Sequence, residues 1–347
     1  MKPSKSLRDL TLNIPEKEYH ALPAWSYSLI AKYAREGFSS LASIHQPSVS
    51  TASMAFGSMF DCMLTRPEDF DSEYAVMTST APDAEKKVLD CLATSNKSFD
   101  ALSKEEIQAA FDQCSYRGNW GFDKKVEKIS EYKDYYTTVS SGKTVVSEDE
   151  YNDALEMRDA FRRDTYLSAL FGSTSSDDVE YLYQTQFKVK YTPSNGKSVF
   201  LKIMPDLLVV NHKDRTVQPV DLKTSSMPAY DFAENFVKFR YDIQASLYTD
   251  VLRAVLASED EYKDYTVLTY LFTDISREDK VPVVYSYDTT GEQADGLFFG
   301  TDKQYKYKGW RELLDEIVSY EDANAVVPSY IKLSCPNNII DILNNRR

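Results

Sequence analysis

The chain has 347 residues, with 54 Asp and Glu against 40 Lys and Arg, a formal net charge of −14 and a sequence pI near 4.8. That balance excludes a non-specific nucleic-acid coat, which needs a broad excess of Lys and Arg, but leaves room for an enzyme with a localised basic groove. With 42% hydrophobic and 13% aromatic residues, 25 of them Tyr, the chain has enough apolar surface for a folded core and is not disordered by composition.

Four cysteines, at 62, 91, 114 and 335, form no CxxC pair and are too sparse for a disulfide scaffold. Reduced thiols in the cytoplasm are the expectation. The first residues lack the apolar core of a signal peptide, and no run of about 18 apolar residues occurs, so neither secretion nor a membrane is expected. Only three His are present, His20, His45 and His212, which argues against a multi-His zinc centre. A metal here would be held by carboxylates, which favours Mg2+, with Mn2+ as the alternative.

In chain order, residues 1–22 read as a polar arm, and residues 23–75 as N-terminal helices. Pro23 and Ser26 precede the apolar spacing Leu29, Ile30, Tyr33 of a first helix. A second runs from Ser53 to Leu64, with Ala55, Phe56, Met59, Phe60 and Met63, and stops before Pro67. Being apolar nearly all round, it is expected to be buried. Residues 76–146 read as a helical insertion, with an acidic helix near Ser103–Cys114 and then a basic aromatic stretch through Arg117, Trp120, Lys124, Lys125 and Lys128. Gly142-Lys143-Thr144 ends like a phosphate loop, but position 137 is Thr where such a loop needs Gly, so an ordinary turn is expected.

A capping box, Ser147 with Glu150, opens a helix expected to reach Phe171. The period then becomes alternating. Tyr181–Tyr191, Val199–Val210 and Thr216–Thr224 read as a three-stranded meander joined by Pro193-Ser194-Asn195-Gly196 and Asn211-His212-Lys213-Asp214. A long helix over Ala229–Ala257, strands at Tyr265–Asp274 and Val281–Tyr287, and a closing helix at Trp310–Ser319 complete the pattern. This order predicts one α/β domain, a mixed central sheet flanked by helices, with its core at 147–290 and a C-terminal extension at 291–347.

The chemistry concentrates in Met204-Pro205-Asp206 and Val220-Asp221-Leu222-Lys223-Thr224. Adjacent antiparallel strands would present Asp206 and Asp221 at one level, and Lys223 shares the face of Asp221 because side chains alternate with period two. Two like charges so close cost free energy unless a cation lies between them, so the pair reads as a divalent-metal site or a Lys-bridged pair. The alternative is a hairpin with a polar solvent face. Apolar neighbours, Ile203, Leu207, Val220 and Leu222, favour a partnered role. On the long helix, Gln244 and Tyr248 share a face with Arg240, next to Tyr241. Gln244 is a polar residue where a structural helix would place an aliphatic one. Core packing is an equal reading for the two tyrosines.

These segments resemble the PD-(D/E)XK nucleases, and within them the exonuclease VIII (RecE) type found in phages and prophages. Pro205-Asp206 resembles the PD element, Asp221-Leu222-Lys223 the D-x-K element, and Gln244-Ala245-Ser246-Leu247-Tyr248 the Q-x-x-x-Y helix motif. Upstream, Glu18-Tyr19-His20, the run Ala55 to Asp61, Leu64 and Pro67-Glu68-Asp69-Phe70 resemble the opening, the G-x-x-x-H helix and the tail of the RecE type. The resemblance spans residues 14–75 and 147–255. It implies a restriction-endonuclease-like core in which Asp61, Asp206, Asp221 and the carbonyl of Leu222 hold Mg2+. Lys223 would orient or deprotonate the attacking water, Gln244 and Tyr248 would position it or the backbone, and Arg240, Tyr241 and Lys202 would meet DNA.

Two positions depart from the pattern. Asp61 stands where the family has a His, and it is still a hard oxygen ligand. The family's strand Glu corresponds by spacing to Gln186, with Gln184 as second choice, and an amide is a poorer ligand. The resemblance further implies degradation from double-stranded DNA ends by a homo-oligomer that supplies a single-strand annealing protein. The alternatives are an endonuclease or flap nuclease on the same core, and a catalytically weakened relative that binds DNA or a recombination protein. With only Cys335 beyond position 114, no iron–sulfur cluster is expected. Residues 181–224 carry seven Lys and Arg against three Asp, which predicts a narrow basic channel in an acidic exterior, and Lys303, Lys306, Lys308 and Arg311 form a second basic cluster.

Overall fold

In the computed structural model, which describes residues 3–46, 51–78, 80–299 and 305–322, the first 49 residues belong with the C-terminal half of the chain. Together they form a sheet unit, Met1–Val49 with Asp164–Arg347, while Ser50–Arg163 form a separate helical unit. The sheet unit opens with α1 (Glu16–Ala21) and α2 (Tyr27–Glu36), the latter ended by Gly37 at φ 66°, a conformation glycine reaches without strain.

The helical unit contains α3 (Ala52–Thr65), α4 (Phe70–Glu73), β1 (Tyr74–Met77), α5 (Asp83–Ala93), α6 (Lys104–Gln113), α7 (Phe122–Ser130), α8 (Lys133–Ser140), β2 (Thr144–Ser147) and α9 (Glu148–Arg163). Local signals set several of these starts. The Thr51 hydroxyl accepts from the amide of Met54, the expected capping box of Ser147 with Glu150 forms, and a second one, Ser103 with Glu106, opens α6. The buried residues of α3 begin at Phe56 and continue through Met59, Phe60, Cys62 and Met63, while its first turn is exposed. The expected insertion at 76–146 lies inside this unit, and Gly142 is a turn at φ 89° after α8. Its core gathers Val88, Leu89, Ile107, Phe111, Ile129 and Tyr136.

The helix expected to continue to Phe171 breaks at Asp164, whose carboxylate accepts from the amides of Tyr166 and Leu167 and so starts α10 (Thr165–Gly172). The sheet unit then supplies β3 (Val179–Tyr183), β4 (Phe187–Tyr191), β5 (Val199–Ile203), β6 (Leu207–Asn211), β7 (Thr216–Ser225), α11 (Phe232–Phe239), α12 (Tyr241–Ser258), β8 (Thr266–Val267), β9 (Tyr270–Ser276) and β10 (Pro282–Tyr287). It closes with β11 (Gly296–Phe299), β12 (Tyr305–Lys308) and α13 (Trp310–Asp322).

The main sheet is mixed and runs β10-β9-β7-β6-β3, with β8 also paired to β7. Strand β7 is antiparallel to β6 and parallel to β8 and β9, as the helical crossover through α11 and α12 requires. Buried Ile243, Leu247, Val251 and Leu252 of α12 join Val210, Val217 and Phe272 of the sheet in one core.

Two expected strands are each broken in two. Gln184 takes φ 46° after β3, and Met204-Pro205-Asp206 interrupts the second run, so β4 and β5 leave as a separate hairpin and the meander is β3-β6-β7. The expected long helix is also two, because Arg240 takes a left-handed conformation, φ 60° and ψ 47°, between α11 and α12. The pairing of β11 with β12 was not expected from sequence. Lys303 and Cys335 lie outside the described residues.

Candidate active site

Strands β6 and β7 pair only as far as Leu207 opposite Val220. Pro205 has no amide hydrogen to extend the ladder, so the strands part and the edge of β7 is left open. Asp206 fills that edge, its Oδ2 accepting from the Leu222 amide at 2.7 Å. Because the N–H and C=O of one strand residue point to the same edge, the Leu222 carbonyl lies there as well.

Asp221 and Lys223 alternate on the face that α12 covers. Asp221 is 1% exposed, its Oδ1 accepts from the side-chain amide of Gln244, and its Oδ2 lies 2.6 Å from Lys223 Nζ. Lys223 Nζ in turn donates to Gln244 Oε1 at 3.1 Å, closing a three-residue ring of contacts. The ammonium also sits 4.6 Å from the centre of the Tyr241 ring, a cation–π distance. Burial pushes the Asp221 carboxyl up against the pull of Lys223. Burial pushes the Lys223 ammonium down, but the carboxylate of Asp221, then Tyr241 and Asp206, outweigh it, and the net effect keeps Lys223 charged.

Tyr248 is buried with its hydroxyl bonded to the backbone of Met204, and burial raises that hydroxyl well above its ordinary value. Its ring meets Tyr270 edge on at 6.2 Å. Tyr270 is fully buried, its hydroxyl has no hydrogen-bond partner, and it feels the charges of Asp221 and Asp206.

A further carboxylate completes the neighbourhood. The parallel register places Phe272 beside Asp221 and Asp274 beside Lys223, so Asp274 shares their face. It is 1% exposed, and neither oxygen has a hydrogen-bond partner. Burial, then the nearby charge of Asp279, raises its carboxyl to about 7, against the opposing effect of Lys223. Asp274 and Tyr270 escaped the sequence reading because only the register of β7 against β9 identifies them. The expected strand was apparent, but its neighbour was not.

Asp206, Asp221, Lys223, Gln244 and Tyr248 are therefore brought together as expected, and other expected site residues are not. Gln186 binds the N-terminal arm: its amide receives Ile14 N at 3.2 Å and donates to Ile14 O at 2.9 Å, while Leu12 N bonds its carbonyl at 2.9 Å. The residue across from Asp206 is Gln184, whose main-chain N–H donates to the Asp206 main-chain carbonyl at 3.0 Å. Lys202 does not face a groove. It is buried and donates to the carbonyls of Tyr19 and His20 at 2.9 Å and of Leu22 at 3.1 Å, capping the end of α1.

Arg240 is 5% exposed and grips Asp242 through two bonds of 2.9 Å, with a third to the Lys308 carbonyl, so its guanidinium clamps the α11–α12 break. Tyr241 stacks among Phe232, Phe239 and Phe272 beneath Lys223. Asp61 lies on α3 in the helical unit, near Arg66, so the sheet unit holds Asp206, Asp221 and Leu222 of the expected set. Among the described residues no group of three or more His, Cys, Asp or Glu side chains is arranged to hold a metal.

The seven basic residues of 181–224 do not converge on one channel. Lys188, Lys190 and Lys197 belong to the β4–β5 hairpin and its turn, and Lys213 and Arg215 to the turn at the opposite end of β6 and β7 from Asp206. Among the described members of the C-terminal cluster, Lys306 is 3.8 Å from Glu312, Lys308 pairs with Glu316, and Arg311 is 2.8 Å from Asp250.

No protein-family model matches the chain, and no curated protein matches it. No helix among the described residues is long and apolar enough to cross a membrane.

Proposed function

We propose that the chain is a metal-dependent deoxyribonuclease of the PD-(D/E)XK type, acting on double-stranded DNA ends as RecE-like exonucleases do. One observation carries this reading: Asp206, Asp221, Lys223 and Gln244, drawn from three separate motifs, meet in one connected cluster where β6 and β7 part. A polar surface hairpin would not bury Asp221 to 1% exposure or spend Gln244 on it.

The donors suit a hard divalent cation, being two carboxylates and a main-chain carbonyl. Mg2+ or Mn2+ held by Asp206, Asp221 and the Leu222 carbonyl would polarise a scissile phosphate and help ionise water. The rest falls to the chain. Lys223, kept charged, acts as a donor that orients the water and offsets phosphate charge, and the removal of a proton is not assigned to it. Gln244 accepts from the lysine through its carbonyl and donates to Asp221 through its amide, which ties the two together in the metal-free chain. Tyr248 holds the Met204 turn that aims Asp206.

The test is incubation with end-labelled linear duplex, closed circular DNA and single strands, with Mg2+ or with EDTA. Magnesium-dependent loss of linear duplex alone is the expected result, and Lys223→Ala should lower the rate by at least about a hundredfold. Cleavage of circles would make the enzyme an endonuclease. Gln184 in place of a carboxylate across from Asp206 favours a second reading, a weakened relative that binds DNA without cutting. Duplex binding by parent and Lys223→Ala alike, with no cleavage of any substrate, would replace the enzyme reading with that one.

A further inference from the structure

Lys223 has two possible counter-charges, and the structure uses only one of them. On one side is Asp221, 2.6 Å from the ammonium. On the other is Asp274, its register partner on β9, buried to 1% exposure with both oxygens unpartnered. Paired positions on adjacent strands lie within about 5 Å, well inside the reach of a four-carbon lysine stem. A buried carboxylate lacking any hydrogen bond is costly, so its position against a charged lysine needs an account.

The demand for a second counter-charge follows from the chemistry of the site. Were Asp206 and Asp221 to hold a divalent cation, Lys223 would have to share the Asp221 carboxylate with it. An ammonium abandoned in a buried setting would oppose that cation strongly, by like-charge repulsion and by its own lost partner. We infer that Asp274 is the alternative seat of Lys223, a positioning residue that receives the ammonium when a divalent cation takes Asp221. The step transfers no group. The Lys223–Asp221 ion pair breaks, a Lys223–Asp274 pair forms on the same sheet face, and Gln244, bonded to both Lys223 and Asp221, is the hinge between the two arrangements. The exchange leaves Lys223 charged, and in its present seat on Asp221 19% of its side chain is already exposed.

This inference rests on the nuclease reading, and a binding cycle separates the two. Mg2+ binding to the full chain is measured by calorimetry for the parent, Asp274→Asn, Lys223→Met and the double variant. The expected result is at least about tenfold weaker Mg2+ binding for Asp274→Asn, and no effect of the same change once Lys223 is Met. Equal affinity of parent and Asp274→Asn would overturn the relay and leave the metal site standing. An equal loss in both backgrounds would also overturn it, since Asp274 would then be a ligand itself. A parent that binds no Mg2+ would sink the metal-dependent reading and the relay together. Should Asp274→Asn fail to fold, Asp274→Ser serves in the same cycle. The intact chain gives a further check, because the Lys223 side-chain NMR signal, assigned by its loss in Lys223→Met, must move as Mg2+ binds. A signal that stays in place while Mg2+ binds overturns the relay.

Discussion

A carboxylate without hydrogen bonds in a fold interior costs an amount set by pH, and Asp274 is such a group. Its carboxyl is raised from the ordinary 3.8 to about 7. Below the lower value both folded and unfolded chains hold the proton, and the residue is neutral for stability. Between the two values the unfolded chain ionises first, so stability falls as pH rises, and the loss levels off above about 7. Asp274→Asn removes that slope. In EDTA, urea unfolding should find parent and variant alike near pH 4 and the variant more stable at pH 8, by up to about 4 kcal/mol. A parent equal to or more stable than the variant at pH 8 would mean that Asp274 has a partner in solution. The same substitution is expected to weaken Mg2+ binding, and opposite signs for stability and site chemistry are what a functional residue in a costly position produces.

At the scale of elements, what was legible in the sequence was local. The capping box at Ser147 and the turns after Tyr191 and Asn211 depend on neighbours a few residues away, and they form as expected. The breaks at Gln184 and Arg240 were not legible, because a non-glycine residue at positive φ needs support from afar. For Arg240 that support includes Asp242 two residues on and the Lys308 carbonyl far along the chain. The polar residues of the arm-facing hairpin misled for a similar reason: a lysine in a strand reads as a DNA contact until the carbonyls it satisfies are seen. Lys202→Met would leave the carbonyls of Tyr19, His20 and Leu22 without their donor. The expected cost is about 1–3 kcal/mol, with faster amide exchange confined to residues near α1. Unchanged exchange there, together with weakened DNA binding, would return Lys202 to the role the resemblance implied.

At the scale of the whole molecule, the chain leaves one unit at position 50 and returns to it at 164, which implies that the intervening segment is complete in itself. Its first and last helices support this, for Phe60 of α3 meets Phe161 of α9 edge on at 5.7 Å. Sequence periodicity showed helices here but not their boundary as a unit, since α3 and α9 are tied only through that distant packing. Inside, Glu85 is fully buried and accepts from the Tyr116 hydroxyl at 2.8 Å and from the Arg117 guanidinium. Burial pushes its carboxyl up, but the bonds from Arg117 and Tyr116 prevail and hold it below the ordinary range. Residues 50–163 expressed alone should therefore unfold in a single cooperative urea transition followed by helical circular dichroism. Glu85→Gln should lower that stability by about 1–2 kcal/mol, because the half-buried guanidinium and the Tyr116 hydroxyl lose a charged acceptor. A fragment with helical signal but no cooperative transition would show that this segment is not complete in itself, and the Phe60–Phe161 contact would then be a consequence of the fold and not its closure.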